Sequence, residues 1–174
     1  MLAAISQLSR MPNSIIFDRR HTLRVLRPVT YGLASDLREL PMGNQHLGSC
    51  LCGAARFRVD GSFDRFYLCH CEHCRKDTGS AHAASLFSQT ATLSWMAGQD
   101  KVVAYNLPQT RHTKAFCSVC GSALPYALGT MVVVPAGSLD TGLAITPDAH
   151  IFFASKAEWE GDFSGLPTFG AFPS

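Results

Sequence analysis

The chain has 174 residues, 47% of them hydrophobic and 16% charged, enough for one ordinary core. Fifteen basic against thirteen acidic residues leave a formal charge of +2, and the basic side chains do not run together, so composition gives no footprint for nucleic acid or an anionic membrane. No apolar stretch approaches the roughly 18–20 residues of a membrane span; the longest, Met131 to Ala136, is strand-sized and contains Pro135.

Residues 1–44 read as an N-terminal extension. Up to Leu40 there is no cysteine and no clean hydrophobic period, only six arginines, three acids (Asp18, Asp36, Glu39) and scattered apolar residues. The segment lacks the continuous apolar core and small-residue cleavage site of a secretory signal. It reads as a loosely packed arm, or as an extension ahead of a natural start at Met42, where Pro41-Met42-Gly43-Asn44 is turn chemistry. An arginine-bearing, acid-poor targeting segment is the competing reading.

Residues 45–174 read as one mainly β domain. Ala55 to Val59 alternates apolar and charged residues, which puts one face in a core and the other in water, and Asp60-Gly61 closes it with a turn signal. Further short strands are expected at Phe66–Leu68, Ala83–Phe87, Ala91–Trp95, Lys101–Tyr105, Thr113–Phe116, Met131–Val134 and His150–Ala154, mostly separated by Gly, Pro, Asn or Asp. No segment sustains a helical period over three turns, so helices should be brief, with Lys156–Trp159 a candidate.

The seven cysteines carry the specific information. They fall as Cys50-Leu51-Cys52, Cys69-His70-Cys71-Glu72-His73-Cys74 and Cys117-Ser118-Val119-Cys120-Gly121, with none outside these clusters. Two thiolates a few residues apart on a tight turn can grip one metal ion, because the turn aims both sulfurs inward. A closed structural zinc site takes four ligands, and a site that does chemistry commonly has three from protein plus a water or substrate. Seven is four plus three. Cys50, Cys52, Cys117 and Cys120 make the closed set and tie the start of the domain to its middle; Cys69, Cys71 and Cys74 remain as a compact triplet that caps one face of a second metal.

Alternatives stand beside this count. Disulfides fail on odd parity and on the strain of Cys-X-Cys bridges, and a reducing, cytoplasmic compartment disfavours them. An iron–sulfur cluster on the triplet plus one distant cysteine would leave an incomplete structural site. A second zinc closed by His70, His73 or His82 is the plainest competitor to an open site.

Three linked motifs then resemble a known family. Gly48-Ser49-Cys50-Leu51-Cys52-Gly53, the run from Cys69 to Gly79, and Phe116 to Ser122 are similar in order and spacing to glutathione-dependent formaldehyde-activating enzymes. The likeness extends from about Gly48 to Phe169 through Gly137-Ser138-Leu139-Asp140, His150-Ile151-Phe152 and Gly165-Leu166-Pro167-Thr168-Phe169. It implies a zinc-bound β-sheet fold like that of Mss4-type proteins. It also implies a carbon–sulfur lyase activity that joins glutathione to formaldehyde as S-hydroxymethylglutathione. On this resemblance Cys50, Cys52, Cys117 and Cys120 hold a structural zinc, while Cys69, Cys71 and Cys74 hold a catalytic and labile one.

The implied partner is a small thiol such as glutathione, with neither nucleic acid nor membrane. The alternatives are a zinc-scaffolded binding module without catalysis and an enzyme for another small thiol or aldehyde; a chromatin role would want a longer basic tail. His70 and His73 flank the ligands as proton carriers or as hydrogen-bond donors to them. Arg75, Lys76 and Arg111 are candidate grips for carboxylates, against a solvated surface role. Trp95 and Trp159 read as core or rim packing, Met131–Val134 as a buried strand, and Gly121 as the turn residue of its knuckle.

Overall fold

A computed structural model describes residues 15–17, 23–25 and 44–173. The chain divides into two compact units, Met1–Leu40 and Pro41–Ser174. In the first, strands β1 (Ile15–Phe17) and β2 (Leu23–Val25) pair antiparallel, with Ile16 opposite Arg24. Three residues are too few to display a period, which is why a segment without clean periodicity still holds a hairpin. The rest of the expected arm or targeting segment lies outside the described residues.

The second unit is mainly β. Strands β3 (Gln45–Ser49), β4 (Arg56–Asp60) and β7 (Thr92–Ala97) form one antiparallel sheet in the order β3-β4-β7. A second, in the order β10-β9-β8, contains β8 (Val102–Asn106), β9 (Thr113–Cys117) and β10 (Ala123–Leu124). The largest has five strands: β5 (Arg65–Cys69), β6 (Ala83–Ser88), β11 (Tyr126–Leu128), β12 (Met131–Pro135) and β13 (Ala149–Ile151), ordered β11-β12-β6-β5-β13. Among the described strands only β13 is parallel to its neighbour, setting His150 opposite Leu68 and Ile151 opposite Cys69.

Alternation works on β4 as expected: Phe57 and Val59 are fully buried, whereas Arg56 faces water. Its polar face is tied by Arg58 Nε to Asp60 at 2.8 Å and by Gln45 Nε2, which donates to the same carboxylate. Val132, Val133 and Val134 are all buried, because β12 lies between β11 and β6. Phe57, Val59, Leu86, Leu124 and Val134 centre a core that also takes in Cys50 and Cys117. Trp95 packs on that core, meeting Phe57 edge-on at 5.9 Å, but Trp159 is 64% exposed and is not a core residue.

Two helical expectations change. Lys156–Trp159 is not a helix; a short 3-10 turn, Phe153–Ser155, precedes it, which also shortens the expected strand His150–Ala154 to β13. The α-helix among the described residues is α1 (Glu72–Thr78), within the cysteine triplet. Its ends explain it: Cys71 is the N-cap, its sulfur accepting from the Cys74 N–H, and Gly79 ends it in the left-handed region at φ 63°. No helix among the described residues is long and apolar enough to cross a membrane.

Candidate metal centres

Both knuckles of the four-cysteine set are hairpin turns. Cys50 and Cys52 lie between β3 and β4, where the Gly53 N–H donates to Cys50 O and the Ala55 N–H to Cys50 Sγ at 3.2 Å. Cys117 ends β9 and Cys120 precedes β10; the Gly121 N–H closes that turn on Cys117 O with φ 77°, a backbone only glycine adopts without strain. The Leu51 N–H donates to Ser122 Oγ at 2.9 Å and locks one knuckle to the other.

As a result the sulfurs of Cys50, Cys52, Cys117 and Cys120 converge within 4.8 Å of one another. Cys50 Sγ and Cys52 Sγ are 3.5 Å apart, and Cys52 Sγ and Cys117 Sγ 4.0 Å. Tetrahedral zinc with bonds of about 2.3 Å requires sulfurs about 3.8 Å apart, so these two pairs are within a few tenths of an ångström of that spacing and the other pairs have to close by about 1 Å at most. The thiols do not ionise alike. Desolvation opposes the Cys120 thiolate, but the Ser122 hydroxyl and N–H and the Cys52 backbone outweigh it and bring its pKa to about 6. For Cys52 the Ala54 N–H favours ionisation, yet desolvation and the crowding of Cys50, Cys120 and Cys117 push it up to about 12. Four thiolates at this spacing need a cation to share.

Cys69, Cys71 and Cys74 also bring their sulfurs within 4.8 Å of one another, and no His, Asp or Glu atom among the described residues joins them at that distance. Cys69 closes β5, Cys71 caps α1 and Cys74 sits in its first turn, so one strand-to-helix junction sets all three. Burial pushes the Cys69 thiol up. Burial also pushes up Cys74, with Cys69 and Cys71 adding to it. Burial opposes the Cys71 thiolate too, but the Cys74 N–H and the neighbouring thiols prevail and lower it. A dication would draw off the remaining thiol protons. The donor set suits zinc.

The histidines go elsewhere. His73 is exposed on α1, with its ring 5.6 Å from that of His112. His70, fully buried, directs Nδ1 to the Glu160 carboxylate at 3.0 Å and Nε2 to His150 Nδ1 at 2.7 Å. His82 gathers with His70 and Glu160 rather than with the thiols. Burial, then the charges of His70 and His150, lower the pKa of His82. Arg75 Nε donates to His70 O at 3.3 Å, and Lys76 pairs with Glu72 one helical turn away at 2.7 Å. Both candidate carboxylate grips therefore have partners within the chain, and Arg111 is exposed.

Sequence reasoning passed over residues that the sheets bring to the triplet. A cavity of about 140 Å³ is lined by Cys69 and Cys74 together with Asp77, His112 and Tyr126. Burial, with Cys74 and Asp77 adding to it, pushes Tyr126 up to about 12, so its hydroxyl keeps its proton. Lys114 Nζ holds Asp77 at 2.6 Å, and His112 lies 3.6 Å from the same carboxylate. Asp77, His112 and Lys114 also border an outer cleft of about 500 Å³ with His73 and Tyr105. No local signal marks Tyr126 or Lys114, since both reach the triplet only through sheet pairing.

Comparison with known proteins gives the chain a family. A family model described as glutathione-dependent formaldehyde-activating enzyme matches residues 45–155, a span that contains all seven cysteines. A Halomonas elongata protein provisionally named a glutathione-dependent formaldehyde-activating enzyme is 32% identical over 124 residues, covering 64% of this chain and 77% of that relative. A solved Rhodobacter sphaeroides protein is 22% identical with a TM-score of 0.44, covering 56% of this chain and 91% of its own. The chain belongs to the glutathione-dependent formaldehyde-activating enzyme family.

Proposed function

We propose that the protein is a zinc-dependent carbon–sulfur lyase of the cytoplasm that condenses glutathione with formaldehyde to S-hydroxymethylglutathione, with Cys50, Cys52, Cys117 and Cys120 as the structural zinc ligands and Cys69, Cys71 and Cys74 as the catalytic ones. The observation that carries the reading is the triplet: three convergent sulfurs, with no fourth Cys, His, Asp or Glu atom among the described residues within 4.8 Å of all of them, opening on a cavity. A metal kept only for scaffolding has no use for an open face, which favours the enzyme over a binding module.

The reaction adds the thiol across the carbonyl. The sulfur lone pair forms the C–S bond, the carbonyl π pair moves to oxygen, and the thiol proton ends on that oxygen. Zinc, when bound, supplies a Lewis acid that favours thiolate at neutral pH and polarises a carbonyl. The chain's part is to position and to manage protons. At about 140 Å³ the inner cavity is below the usual range for drug-sized ligands, so it admits a one-carbon aldehyde and excludes a tripeptide. The outer cleft, sharing Asp77, His112 and Lys114 with the cavity, takes the rest of the thiol. Tyr126 presents a protonated hydroxyl to the cavity, a donor for the oxygen that gains charge. His112 lies where cavity and cleft meet, placed to pass on the proton released by the thiol.

Cobalt substitution tests this directly. The sulfur-to-cobalt absorption of the loaded protein should intensify when glutathione adds a fourth sulfur to the triplet, and it should survive His73→Ala. A spectrum indifferent to glutathione but altered by His73→Ala means a site closed by histidine, and the proposal falls.

A further inference from the structure

Outside both thiolate sets lies a partly buried constellation that this reaction does not use. The link from β5 to α1 supplies His70, the link from α1 to β6 supplies His82, and the turn after Ala157 supplies Glu160, whose N–H donates to Ala157 O at 3.0 Å. One ring nitrogen of each histidine and one carboxylate oxygen lie within 4.8 Å of one another. His70 is fully buried and Glu160 is 8% exposed. β13 adds the exposed His150 from the side, and the Phe153 ring stands edge-on to His70 at 5.0 Å.

A hydrogen-bonded chain from Glu160 through His70 to His150 accounts for three of these residues without any ligand. It does not account for His82, whose Nδ1 is buried with no hydrogen-bond partner. Buried polar atoms are almost always paired, so this orphan needs an occupant. We propose that His70, His82 and Glu160 hold a divalent first-row transition-metal ion, a third site separate from both cysteine sets.

The geometry is close to what such an ion requires. Two ligands on a tetrahedral centre with bonds of about 2.0 Å stand about 3.3 Å apart, and His70 Nδ1 is already 3.0 Å from the Glu160 carboxylate. His82, at up to 4.8 Å, has to close by about 1.5 Å at most. With Nδ1 on the metal, His70 keeps Nε2 on His150, the outer partner that fixes the tautomer and ring plane of a ligating histidine. Two imidazoles and a carboxylate without sulfur suit zinc, iron(II), cobalt or nickel and not copper(I). The inference is independent of the proposed reaction, since it draws on none of the seven cysteines.

The test uses the whole protein with both thiolate sets filled by zinc, titrated with cobalt(II) under equilibrium dialysis and followed by visible absorption and metal analysis. The unaltered chain should take up one further cobalt showing weak visible bands and no sulfur-to-cobalt band. That uptake should disappear in His82→Ala and in Glu160→Gln, with the zinc content of both variants unchanged. No extra cobalt on the unaltered chain, extra cobalt with a sulfur band, or uptake that persists in both variants would each overturn the site. A variant that does not fold leaves the decision to the unaltered chain and to His82→Gln, which keeps the volume of the ring but not its ligand and should also lose the uptake.

Discussion

Substituting Cys117 by serine should destabilise the domain far more than substituting Cys71, and loop closure sets the minimum difference. Cys117 is fully buried within the core and, through the closed set, is joined to Cys52 across 65 residues. The triplet spans only the junction of β5 and α1, already fixed by backbone hydrogen bonds. Closure entropy grows as three-halves RT times the logarithm of loop length, so a crosslink over 65 residues restrains the unfolded chain by about 2.5 kcal/mol more than one over a handful. That is a large share of the 5–15 kcal/mol by which domains are usually stable, and corresponds to about 10 °C in Tm for a domain of this size. Thermal and urea unfolding of zinc-loaded Cys117→Ser and Cys71→Ser, with metal content measured on the same samples, gives the comparison. Equal melting of the two variants, or Cys117→Ser melting as the unaltered protein does with full zinc, would refute the closed four-sulfur assignment.

Cys71→Ser should keep its fold and lose glutathione-dependent turnover, which a paired melting curve and rate assay will show; loss of fold without selective loss of rate makes the triplet structural. Gly121→Ala should cost about 1–2 kcal/mol, because φ 77° strains any L side chain, and should weaken zinc retention in a chelator competition. Phe57→Ala, at the fully buried centre of the core, should cost about 3–5 kcal/mol in denaturant unfolding. Asp60 is held below the usual carboxylate range by Gln45 and then by Arg58. Its contribution to stability is therefore present above the unfolded value near 3.8 and lost as pH falls through the lower folded one, so Asp60→Asn should flatten the acid limb of a stability–pH curve below pH 4.

Much of this was legible in the chain itself. The places of eight strands, though not of β3, the alternation on β4, the burial of Val132–Val134 and the grouping of seven cysteines as four and three all follow from local pattern, because side-chain period and knuckle spacing are properties of a few adjacent residues. β10 and β11 escaped because two or three residues show no period, and α1 because its signals were a cysteine cap and a terminal glycine within a run already assigned to metal. Tertiary structure decided the rest. It gave His70 and His82 to Glu160 instead of to the sulfurs, and brought Tyr126, His112 and Lys114 to the cavity beside the triplet. Those partners lie far apart in sequence: 90 residues separate His70 from Glu160, and 37 separate Asp77 from Lys114. Contacts at such separation are fixed by which strands pair and in what register, and no short stretch of sequence carries that information.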